Sequence, residues 1–112
     1  MTEAERPWVV LVTAPSEEVA LGLGRMLVDE RLAACVNVVP RVTSVYRWEG
    51  KREEAAEALL VIKTRPEGYP ALERRIREAH PYSVPEVLAL PVEAGAEPYL
   101  RWVRDSVGVE GR

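Results

Sequence analysis

The sequence predicts an α+β sandwich: an antiparallel four-stranded sheet with helices on one face, in the order strand, helix, strand, strand, helix, strand, followed by a C-terminal helix. Two observations predict it. Short β-branched runs alternate with segments of helical periodicity, and a tight Glu49-Gly50-Lys51 turn joins two long runs of similar length. At 112 residues the chain fits one domain, residues 1–112, large enough to bury a core without disulfide or metal staples.

The first strand is Trp8 to Ala14, WVVLVTA, which stops at Pro15. Ser16 then offers a side-chain oxygen to orphan amides, and Glu17 and Glu18 suit the first turn of a helix lasting to about Glu30. Val19, Leu23, Met26 and Leu27 fall on one face of it. The second strand begins in AACVNVV, Ala33 to Val39, and resumes as Val42 to Glu49 after Pro40, which cannot donate to a ladder and so marks a bulge, bend or edge. In the resumed part Val42, Tyr46 and Trp48 share one face, and Thr43, Val45, Arg47 and Glu49 the other. KREEAAEALLVIKT has helix formers in its first half, yet the turn at Gly50 favours a strand paired with the preceding run. A second helix covers Pro70 to Ala79 with Leu72, Ile76 and Ala79 facing inward, and His80-Pro81 ends it. Val87 to Val92 forms the fourth strand and Glu97 to Val107 the last helix. This order fits the ferredoxin-like split βαβ arrangement, which hosts many functions.

Composition excludes several of them. With 15 basic and 18 acidic residues the net charge is −3, so no field draws the chain to nucleic acid. Cys35 is the single cysteine, the first residues lack a signal-like pattern, and no apolar run approaches the roughly 20 residues of a membrane span. These features predict a soluble cytoplasmic protein. Arg and Glu dominate the charges, with one Asn and no Gln, which predicts a thermostable protein, readable as a melting midpoint above the mesophile range.

The hairpin's length points to an oligomer. Arms of about 13 residues span roughly 43 Å, whereas a compact chain of this size is roughly 35 Å across. An overhanging ribbon carrying Val45, Tyr46, Trp48 and Leu59 leaves apolar groups and open edges for another subunit to cover.

The candidate chemistry is sparse. Cys35 and His80 form the one conceivable thiol and base pair, but a cysteine inside AACVNVV reads as a small buried hydrophobe. Cysteine, histidine and carboxylates are ligand types for copper and zinc, but without a C-x-x-C or H-x-x-x-H pair only symmetry-related copies or substrate would complete a shell. Against metal binding stands a structural His80 that caps a helix C-terminus as an imidazolium bonding a carbonyl. RNA-binding aromatics and a glycine-rich phosphate loop are absent; Gly22 and Gly24 lie within a helix. What remains is a mixed polar cleft, in which Thr13, Trp48, Lys63, Thr64 and Glu86 converge if subunits pack side by side. The competing reading makes Lys63 and Glu86 an ion pair and Trp48 interface core.

Five stretches carry a family resemblance: LVTAPSEE at 11–18, RLAACVNVVPRVTSVYRWEGK at 31–51, EALLVIKT at 57–64, HPYSVPEVLALPV at 80–92 and YLRWV at 99–103. Together they resemble the CutA1 family of divalent cation tolerance proteins. The resemblance implies a homotrimer of ferredoxin-like subunits, similar in architecture to PII signal proteins, with long hairpins wrapping their neighbours. It also implies a binding protein, not an enzyme, implicated in tolerance to copper and other divalent ions. The motif positions are Thr13, Cys35, Trp48, Lys63, Thr64, His80, Tyr82, Pro85, Glu86, Tyr99 and Trp102. Cys35 and His80 become the candidate metal contacts for copper or zinc, and Thr13, Trp48, Lys63, Thr64, Tyr82 and Glu86 the ligand cleft. Two alternatives stand beside that reading: a trimeric scaffold that docks a protein partner, and an enzyme built on Lys63, Glu86 and His80.

Overall fold

The β-branched run after Pro7 forms β1, Trp8–Ala14, one of the two inner strands of the sheet. In the computed structural model, which describes residues 1–108, α1 spans Glu17–Asp29, β2 Cys35–Trp48, β3 Lys51–Thr64, α2 Tyr69–Ala79, β4 Leu88–Pro91 and α3 Glu97–Ser106. Positions 109–112 of the expected domain lie outside the described residues. The four strands lie in the order β2-β3-β1-β4 and every pairing is antiparallel, the predicted ferredoxin-like arrangement.

Alternation along each strand divides the sheet into two faces. Val10 and Val12 of β1 stand opposite Ile62 and Leu60 of β3, and with Leu23 and Leu27 of α1 and Leu72 and Ile76 of α2 they make the core. The other face carries Val9, Leu11, Leu59, Val61, Val39, Leu88 and Leu90, of which Leu88 is 55 % and Leu90 50 % exposed. α3 buries Leu100 and Val103 and closes the end where β1 begins and β3 finishes. There Arg104 pairs with Glu67 at 3.0 Å, Arg65 donates to the Arg104 carbonyl at 3.3 Å, and Arg31 to the Asp105 carbonyl at 3.4 Å.

KREEAAEALLVIKT is a strand throughout, as the turn predicted. Pro40 and Arg41 together oppose Ala58, between the Val39–Leu59 and Val42–Glu57 pairs, so the expected irregularity is a bulge within one continuous strand. The hairpin stretches the molecule to 44 Å against 26 and 23 Å in the other directions. Its radius of gyration of 14.6 Å exceeds the about 13 Å of a compact chain this long.

Boundaries differ where backbone partners run out. β4 is shorter than Val87–Val92 because its ladder covers only Leu11 to Trp8, and the Val92 amide bonds the Pro7 carbonyl instead. β2 starts at Cys35, two residues after the expected Ala33, since the chain first reverses beyond α1. Ala79, expected to face inward, is exposed at the last turn of α2, where His80 takes the buried position.

Candidate functional site

A cavity of about 520 Å³ lies at the root of the hairpin, and its position follows from three local features. β1 brings Thr13 to the end of the sheet. Past the bulge, alternation sends Ser44, Tyr46 and Trp48 of β2 to the same side, while β3 adds Glu57, opposite Val42. The third wall is the segment between α2 and β4, which contributes Tyr82, Ser83, Val84 and Glu86.

His80 anchors that segment. It is buried, its Nε2 lies 2.7 Å from the Thr13 carbonyl oxygen, and its Nδ1 accepts the Tyr82 amide at 3.0 Å. An accepting Nδ1 places the proton on Nε2, which donates to Thr13, so both nitrogens of a neutral ring are engaged. This corrects the expected imidazolium cap: the carbonyl it bonds belongs to β1, while α2 is closed by the His80 backbone amide on Ile76. The ring packs on Tyr82 with centroids 4.8 Å apart, and the Tyr82 hydroxyl donates to Glu57 Oε2 at 2.8 Å. Burial first, then the bond to Glu57 and its charge, push the Tyr82 phenol up to about 12. The Glu86 carboxyl is also raised, by desolvation and then by the Glu57 charge.

The single chain thus brings together Thr13, Trp48, Tyr82 and Glu86 of the expected cleft, but neither Lys63 nor Thr64. Thr64 is fully buried and donates to the Leu32 carbonyl at 2.8 Å, a core position that lines no cleft. Lys63 sits toward the other end of the sheet, paired in register with Cys35 and Val9, and its ammonium bonds the Asn37 side chain. Within one protomer, therefore, Lys63 and Glu86 form no ion pair and the Lys63, Glu86 and His80 catalytic corner is not assembled. Cys35 and His80 are likewise apart. Cys35 lies level with Val9, and His80 with Thr13, four residues or roughly 13 Å along the strand. Among the described residues no three His, Cys, Asp or Glu side chains converge as a metal-binding group.

Glu57 is the site residue that sequence reasoning missed, at 9 % exposure beneath Tyr82. The signal was its place in Glu57, Leu59, Val61, Lys63, the alternate set that faces away from the helices.

These features define a class: a ferredoxin-like α+β protein with an overlong hairpin and a ligand-sized cavity at its base. Residues 8–106 match the family described as CutA1 divalent ion tolerance protein. The divalent-cation tolerance protein CutA of Thermus thermophilus is 52 % identical over 100 residues, covering 89 % of this chain and 97 % of that one. The human protein CutA is 55 % identical over 93 residues, 83 % of this chain, which spans 52 % of that longer relative. The crystal structure of CutA1 from Oryza sativa superposes with a TM-score of 0.90 at 44 % identity, covering 96 % of this chain and 98 % of its own. The chain belongs to the CutA1 divalent ion tolerance family. Those names denote tolerance to divalent cations and no reaction. Among the described residues no helix is long and apolar enough to cross a membrane.

Proposed function

We propose that this chain acts as a homotrimer in the response to copper and other divalent metal ions, binding metal or a small ligand at clefts between subunits, in a PII-like signalling architecture. The observation that carries this reading is the cavity at the root of a hairpin that projects beyond its own domain, beside an apolar sheet face on which Leu88 and Leu90 are half exposed. A neighbouring copy laid on that face would bury the leucines and bring its own hairpin or strand ends to the cavity rim. Cys35 and His80, separated within one protomer, would share a metal only across such a contact. At His80 a metal must first displace the Tyr82 amide from Nδ1, or the proton and the Thr13 carbonyl contact from Nε2. We assign the cytoplasm as its compartment, where its one cysteine stays a free thiol.

Calorimetry with Cu(II) and Zn(II) on the wild type, Cys35→Ala and His80→Ala tests the metal contacts. Binding that weakens in either variant supports them; identical isotherms in all three remove both residues. A second reading, a trimeric scaffold for an unidentified protein partner, is favoured by Tyr99 and Trp102. These rings lie 5.6 Å apart, 43 % and 47 % exposed, on α3 and outside the cavity. Retention of a partner by the wild type and its loss in Trp102→Ala supports docking, whereas equal retention removes α3 as the surface.

A further inference from the structure

We propose that the cavity at the hairpin root takes a small organic ammonium ion, held between the carboxylates of Glu57 and Glu86 and the rings of Tyr46, Trp48 and Tyr82. This rests on the reading of the cavity as a ligand site and names the class of ligand it fits.

The charge pattern is one-sided. Two carboxylates line the cavity, and among the described residues no Lys, Arg or His side chain lines it. Glu57 is nine-tenths buried, and its one protein donor is the Tyr82 hydroxyl, on Oε2. Among the described residues no donor reaches Oε1. No fully buried side-chain oxygen among the described residues lacks a partner, so Oε1 stands open to the cavity, where a charged donor entering it can bond. The Glu57 charge adds to desolvation in raising the Glu86 carboxyl, and a cation between the two offsets it. Anions are disfavoured by the same field.

The aromatic wall separates an organic cation from a metal ion. Calcium and magnesium need about six or more oxygen ligands, and copper or zinc prefers nitrogen and sulfur donors that the cavity lacks. Trp and Tyr faces instead attract ammonium groups through the ring quadrupole and cover their methylenes. The volume of about 520 Å³ suits a small organic molecule and is far larger than a bare ion requires.

The test is calorimetry on the full chain, as purified, with putrescine and choline as cations, 1,4-butanediol and succinate as neutral and anionic counterparts, and Zn(II). Putrescine or choline is expected to bind, with butanediol and succinate silent. Glu57→Gln is expected to weaken amine binding about tenfold or more, and Trp48→Leu about threefold. Glu86→Gln, a change on the exposed rim, gives the same direction of effect if Glu57→Gln does not fold. Succinate, butanediol or Zn(II) binding as tightly as putrescine, with loss in the same variants, keeps the cavity as a ligand site and overturns the ammonium inference. Silence from every probe on folded protein overturns both readings. Silence together with a lower sedimentation mass in Glu57→Gln also overturns the inference, because the cation is then a side chain of the neighbouring copy.

Discussion

Glu49 has a left-handed backbone, φ 50°, and with Gly50 at φ 80° makes a two-residue reversal in which both central positions need positive φ. Glycine adopts this freely, but glutamate does so at a cost of about 1–2 kcal/mol. Asparagine tolerates the region better, so Glu49→Asn is expected to raise stability by about 0.5–1 kcal/mol. The change should appear as a higher denaturation midpoint at unchanged slope. Glu67 carries a different residue-scale prediction. The Arg104 guanidinium above all, then Arg65, outweigh partial burial and hold its carboxyl down at about 2. A carboxylate that binds its proton more weakly when folded contributes stability that is present above its ordinary value of 4.5 and lost as pH falls towards 2. Melting temperatures between those limits are expected to fall less steeply for Glu67→Gln than for the wild type. Parallel curves would show that the ion pair does not survive in solution, and exposure of the pair keeps the expected difference small.

At the level of elements, close approach of α1 to β2 depends on the absence of a side chain at Gly24, where a Cβ would stand 3.2 Å from Val36 Cγ1. Gly24→Val overfills this contact and is expected to cost about 1–3 kcal/mol, measured by chemical denaturation. A neutral result would mean that α1 shifts outward without loss. The sequence placed both glycines inside a helix, but composition alone could not tell Gly24, buried against β2, from Gly22, whose added Cβ would meet open space. The same limit applies across the site. The hairpin was legible because Gly50 and two runs of matched length constrain each other, and Pro40 announced the bulge by lacking a donor. Thr13, Trp48 and Glu86 were legible because they lie at strand ends or on the hairpin, whereas Tyr82 entered the cleft only through the family resemblance. Glu57 was hidden in a charged, helix-forming stretch, and only its register beside Val42 and the reach of Tyr82 reveal a buried acid. Thr64 failed in the opposite sense: adjacent to Lys63 in sequence, it points to the other face of the sheet and into the core.

For the whole molecule the deciding feature is the sheet face opposite the helices. Leu88 and Leu90, half exposed on β4, stand beside Leu11 and Val9 in a continuous apolar surface that reaches Val61, Leu59 and Val39. Exposure of that kind costs about 25 cal/mol for each Å² left in water, a cost that neighbouring copies closing into a ring remove. Charges placed there disturb the isolated subunit little, because the core side chains lie on the other face and these two already meet solvent. The paired change Leu88→Lys and Leu90→Glu is therefore expected to reduce the sedimentation mass from three chains to one at micromolar concentration while circular dichroism keeps the native sheet signal. Heat stability should fall with it, since the buried face contributes to folding only in the assembled state. A wild type that sediments as one chain would refute the assembly outright. A doubly charged variant that remains trimeric would move the interface from the sheet face to the projecting hairpin, where Val45 and Trp48 offer the next apolar surface at 60 % and 49 % exposure.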